Sequence, residues 1–122
     1  MSKYKKLFNL SILAVIVIIF SGCATCQPQY HKSLSDNPRL AEANISYKKA
    51  IRWAAKGDCE IHPFNAKEDY RNASSYLSDT IFKLKQLGHD NNIDVSEEIY
   101  YCESLKNKIH EDTAKAEKAL LP

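Results

Sequence analysis

Residues 65–88, NAKEDYRNASSYLSDTIFKLKQLG, carry the pattern that decides the fold. Ala66, Tyr70, Ala73, Leu77, Thr80, Leu84 and Leu87 follow one another at steps of 4, 3, 4, 3, 4 and 3 residues. Such a seam lies on one face of an α-helix and asks for a neighbouring helix to cover it. Ile81 widens the buried face. Asn65 followed by Glu68 has the form of a capping box, and Gly88 is placed to stop the helix.

Two further helices are predicted around this one. Upstream, Asn37 can cap free N–H groups and Pro38 suits a first helical position. Leu40, Ala43, Tyr47, Ala50, Ile51 and Ala54 form an apolar stripe that ends at Gly57. Downstream, the polar loop His89–Ile93 leads to Asp94 or Ser96 as a cap. Ile99, Cys102, Leu105, Ile109, Thr113, Ala116 and Leu120 form the third stripe, and Lys115 and Lys118 suit the dipole at its end. Helices of about 20–25 residues with short connections make antiparallel neighbours. The fold expected is all-α: a small three-helix antiparallel bundle or helical hairpin after a flexible N-terminal tether. With only 3 Gly and 4 Pro in 122 residues, a turn-rich all-β protein is excluded. Many seam positions are Ala, so the core is thin and draws added stability from a disulfide or a partner.

The N-terminus reads as an export signal. Lys3, Lys5 and Lys6 are followed by an apolar run from Leu10 to Phe20, broken only by Ser11, and then by Ser21, Gly22 and Cys23. That order is the secretory pattern. The run is short for a bilayer span, which takes about 20 residues, so an uncleaved N-terminal anchor is the weaker alternative. Phe20-Ser21-Gly22-Cys23 resembles the lipobox of bacterial lipoproteins, with Phe20 standing where that family prefers Leu, Val or Ile. The resemblance implies cleavage before Cys23 and lipidation of Cys23, and hence attachment to a membrane. Two or three acyl chains anchor stably where one is marginal. Ala24 follows Cys23 where an Asp tends to mark inner-membrane retention, so the resemblance implies the periplasmic face of the outer membrane. The expected organisation is a signal peptide over 1–22, a lipidated tether over 23–35 and a helical domain over 36–122.

Loss of the leader's three lysines leaves 14 basic against 15 acidic residues, so the mature chain has no basic excess for nucleic acid. The mature region also resembles an alanine-rich helical lipoprotein family of unknown function, some members of which precede OmpA-like peptidoglycan-binding domains. Ala43, Ala50, Ala54, Pro63, Ala66, Ala73, Ala116 and Ala119 carry that resemblance, which implies a helical fold.

The chain has cysteines at 23, 26, 59 and 102. With Cys23 lipidated and an oxidising compartment, one disulfide and one odd thiol are expected. An antiparallel bundle puts Cys59 and Cys102 roughly 20–25 Å apart along the helix axes, too far for a bond. A tether hanging near the start of the first helix favours Cys26–Cys102. Cys26–Cys59 requires the tether to run back along that helix. Cys102 also reads as a small buried apolar residue on its stripe. If fully extended, the tether reaches up to ~40 Å.

Chemistry is sparse. Cys23 and Cys26 form a C-x-x-C without the strand–helix setting of a redox motif. Cys59 and His62 lack the further ligands of a metal centre. His31, His62, His89 and His110 fall on separate segments and make no catalytic constellation. No enzyme activity and no cofactor are expected. The aromatics are more suggestive, because Trp53, Tyr76 and Tyr100 lie about 100° from their central stripes and are candidates for docking a partner. The expected protein is a lipid-anchored periplasmic helical module with a structural or protein-interaction role, such as an accessory of a secretion or envelope assembly. The alternative is a ligand-binding lipoprotein contacting cell-wall glycan, a metal or a small molecule, with Cys59 and His62 in the site.

Overall fold

The computed structural model describes residues 26–122. Three helices follow a 3-10 turn at Pro38–Leu40: α1 (Ala41–Asp58), α2 (Pro63–Asp90) and α3 (Ser96–Ala119). The expected signal peptide and Cys23 lie outside the described residues. Among those described, no helix is long and apolar enough to cross a membrane.

Each stripe turns inward except at Leu120, which falls beyond the end of α3 and is exposed. Ala43, Tyr47, Ala50 and Ala54 of α1 meet Ala66, Tyr70, Ala73, Leu77, Ile81 and Leu84 of α2, and Cys102, Leu105, Ile109 and Ala116 of α3 complete the core. Leu77, Leu84, Thr80 and Cys102 are wholly enclosed. Thr80 tolerates this because its hydroxyl donates to the Tyr76 carbonyl at 2.8 Å, which satisfies a polar group that burial would otherwise penalise. The antiparallel order shows in the cross-links along α2. Arg71 reaches Glu117, Ser74 meets His110 and Lys85 pairs with Glu103 on the α3 side. Asp69 faces Lys56, and Asp79 accepts from Ser46, on the α1 side.

The ends differ from the sequence expectation in detail. Asn37 caps as predicted, its side chain accepting from the Arg39 N–H at 3.0 Å. α2 starts two residues before Asn65, at Pro63, where a first helical proline loses no bond. His62 Nδ1 accepts from the Phe64 N–H at 3.2 Å there. α2 also runs past Gly88 to Asp90, with right-handed backbone at that glycine. Gly57 serves as a point of close approach, since a Cβ there would sit 2.8 Å from the Tyr70 ring. Asp94 accepts from the N–H and hydroxyl of Ser96, ordering the entry to α3.

α2 is the central element. Both α1 and α3 pack on it and make little direct contact with each other. Residues 26–37, without regular secondary structure as expected of the tether, fill the groove left between them. Leu34 is buried in the core. The Tyr101 hydroxyl accepts from the Lys32 N–H at 3.2 Å, and the Tyr47 hydroxyl donates to the Lys32 carbonyl. Two tyrosines from different helices thus hold Lys32 by its backbone. Further up, the Gln29 N–H donates to Asp58 at 3.0 Å, and Asp58 also accepts from the Tyr70 hydroxyl at 2.8 Å.

This course corrects the disulfide expectation. Cys26 is bonded to Cys59, with Cα atoms 5.5 Å apart, and Cys102 is free and buried. The Cys26–Cys102 pairing assumed a tether leaving the bundle at the start of α1. The α1–α3 groove instead carries the segment antiparallel to α1, back to that helix's C-terminal end. Cys102 takes the other role anticipated for it, a small apolar residue on its stripe. Burial, with smaller contributions from Glu98 and Glu103, pushes its thiol up to about 12, so it is protonated and unreactive at neutral pH. Titration with a thiol reagent at pH 8 is expected to find one thiol that reacts only after guanidinium is added. Rapid labelling of Cys102 in the native protein would contradict its burial.

Candidate interaction surfaces

The three candidate aromatics separate onto two faces. Lys49, Trp53 and Lys56 stand four and three residues apart on α1, hence on one side of that helix. Lys56 Nζ lies 4.8 Å from the centre of the Trp53 ring. Lys49 Nζ lies 5.7 Å from the ring of Tyr76, on the facing side of α2. Trp53 and Tyr76 are both half-buried against the core. They border one groove, between α1 and α2, on the side away from the N-terminal segment. Tyr100 is 74% exposed and points outward from α3, on the other flank of α2. The structure therefore joins two members of the predicted trio and leaves the third apart. Angles measured on single helices could not show which neighbour covers which side.

Polar groups missed by sequence reasoning line the same groove. Ser46 donates to Asp79, and Lys83 donates to the Ser46 hydroxyl at 2.8 Å while pairing with Asp79 at 3.0 Å. The bonds from Ser46 and Lys83 hold the Asp79 carboxyl below its ordinary range. Asp69 is in the opposite situation. It is 5% exposed, its Oδ1 lies 3.9 Å from Lys56, and its Oδ2 has no hydrogen-bond partner among the described residues. Burial raises its pKa; Lys56 opposes that rise and Glu60 adds to it. The lysine over Trp53 is thus also the nearest cation to a buried carboxylate. A buried polar atom without a partner is costly, and because the Asp69 oxygen is enclosed, what it gives the outer face is a hold on Lys56.

The remaining candidates offer less. Cys23 lies outside the described residues. Cys59 is consumed by its bond to Cys26, so it offers no thiolate to the metal form of the ligand-binding alternative. His62 caps α2 through Nδ1. Among the described residues, no group of three or more His, Cys, Asp or Glu is arranged to hold a metal. His31 is partly enclosed, and burial lowers its pKa, with Asp58 opposing.

Comparison of the chain with protein-family models, with curated proteins and with solved structures finds no match.

Proposed function

We propose that this chain is a lipid-anchored helical module on the periplasmic face of the outer membrane, and that it binds another envelope protein rather than catalysing a reaction. The Trp53–Tyr76 groove is the observation that supports the reading best. Two rigid aromatic side chains are held against the core, each beside a lysine, and Lys56 is placed between Trp53 and the buried Asp69. Trp and Tyr anchors in partly desolvated surroundings dominate interface energetics, and a face between two helices is a common docking place for a third. An accessory role in a secretion or envelope assembly fits a small, tethered adaptor of this kind. Lipid on Cys23 supplies the membrane attachment.

In-cell cross-linking, purification of the lipidated protein and mass spectrometry test the reading. A near-stoichiometric envelope protein is expected. Trp53→Ala is expected to cut its recovery by about tenfold or more, as hot-spot truncations do, with Tyr76→Ala acting in the same direction. Tyr100→Ala, on the other flank, should change little. Unchanged recovery after all three substitutions would rule out this face. Recovery of cell-wall glycan alone would favour the ligand-binding alternative.

A further inference from the structure

The disulfide bears on which end of the bundle meets the membrane. Residues 1–25 precede the described structure, and they hold both the apolar run Leu10–Phe20 and Cys23. Chain and bundle join at Cys26, which is bonded to Cys59 just past the C-terminal end of α1. If acylated Cys23 is the anchor, only residues 24 and 25 stand between it and Cys26; if the apolar run itself is, residues 21–25 follow Phe20. Fully extended, these paths reach about 10 Å and about 20 Å. An anchor on either site therefore keeps the α1–α2 connector at the bilayer surface.

The side chains at that end suit the position. Ile61, in the connector, is 98% exposed, and Phe64, in the first turn of α2, is 50% exposed. Leu120 and Leu121, beyond the end of α3, are 40% and 71% exposed. The α2–α3 register seen in Arg71–Glu117 puts them within about a turn of Lys67. Among the described residues, half of the eight large exposed hydrophobic side chains thus gather at the end where the anchor enters. Some of the basic groups there are engaged: Lys67 lies over the Phe64 ring and 4.0 Å from Glu68, and Arg71 bridges Glu68 and Glu117. Lys115 and Lys118, near the end of α3, are exposed and make no ion pair among the described residues. Glu60, Glu68 and Glu117 stand at the same end, so basic groups do not dominate it, and the exposed apolar side chains are what set it apart.

We infer that this end of the bundle is a lipid-contacting surface, with Ile61 and Phe64 seated in the headgroup region and the α2–α3 loop directed away from the membrane. The inference rests on the anchored reading above and adds an orientation to it. Exposed apolar side chains beside a membrane anchor bury area at the boundary between headgroups and acyl chains. In this pose the Trp53–Tyr76 groove stands upright and open to a partner from the side.

Quenching by brominated lipid tests it. The full lipidated protein is reconstituted in vesicles of phosphatidylethanolamine and phosphatidylglycerol, part of whose acyl chains are brominated. Phe64→Trp and Phe82→Trp are compared, each with Trp53→Phe so that one tryptophan reports. The expected result is loss of about half or more of the Phe64→Trp emission and little loss for Phe82→Trp, unchanged in high salt, where surface charge is screened. Equal quenching at the two positions while the protein still floats with the vesicles overturns the orientation but leaves the anchoring reading intact. A protein that does not float and has no acyl mass on its Cys23 peptide overturns both. Quenching that salt abolishes overturns the apolar seat, since it would show charge to be the attraction.

Discussion

Cys59→Ser is expected to lower the unfolding free energy by about 3–4 kcal/mol. The bond closes a loop between residues 33 apart in sequence, and restricting the unfolded chain over a loop of that length is worth this much. For a domain of this kind, total stability is only about 5–15 kcal/mol, so the substitution removes a large share. Urea unfolding of wild type and variant measures the loss. The variant should also be cleaved by protease within 26–36 long before its helices are cut, because the segment keeps only Leu34 and a few hydrogen bonds to hold it in the groove. A loss under about 1 kcal/mol, far below the loop-closure value, would mean that those contacts place the segment without help from the bond.

Leu77→Ala is the second large effect, with an expected cost of about 3 kcal/mol. Leu77 is wholly buried at the middle of α2, the helix that both others pack on. Its neighbours in the seam are Ala73 and Thr80, small residues that cannot lean in to fill the space. Truncating such a leucine loses its transfer energy and leaves a cavity as well. Thermal or urea melts give the value. The same change at Leu87, which is only half-buried against the core, should cost clearly less. Equal costs at the two positions would contradict the difference in burial between them.

The helical part of the fold was legible because burial repeats with the helix. Leu40, Ala43, Tyr47, Ala50 and Ala54 are all buried, and so are six of the seven α2 seam residues, Leu87 being the exception. The helix ends were less legible. The Asn65–Glu68 pattern competed with Pro63, which needs no N–H partner and so lets α2 start earlier. The docked segment had no signal of this kind. An extended chain in a groove has no period, and Leu34 between two serines looks like any loop leucine. The clue lay elsewhere, in Tyr47 and Tyr101. These polar aromatic residues, facing a core otherwise rich in alanine, needed partners for their hydroxyls, and the Lys32 backbone supplies them. Missing that groove led directly to the wrong partner for Cys26. Of the candidate surface, the sequence singles out Trp53 and Tyr76 but cannot reveal Asp69, whose surroundings are set by Lys56 and Glu60 from a different helix and connector.

The Cys26–Cys59 bond also sets where a mechanical load would travel. Tension arriving from residue 25 passes through the two sulfur atoms to the α1–α2 junction, and from there into the helix that holds the bundle together. Everything between the two cysteines, the extended segment and the whole of α1, is short-circuited by this covalent path. A pull that would otherwise peel the segment from its groove residue by residue is diverted past it. The Trp53–Tyr76 groove has one wall inside the unloaded loop and the other on α2, beyond Ala66. A partner held there would feel the load only through α2.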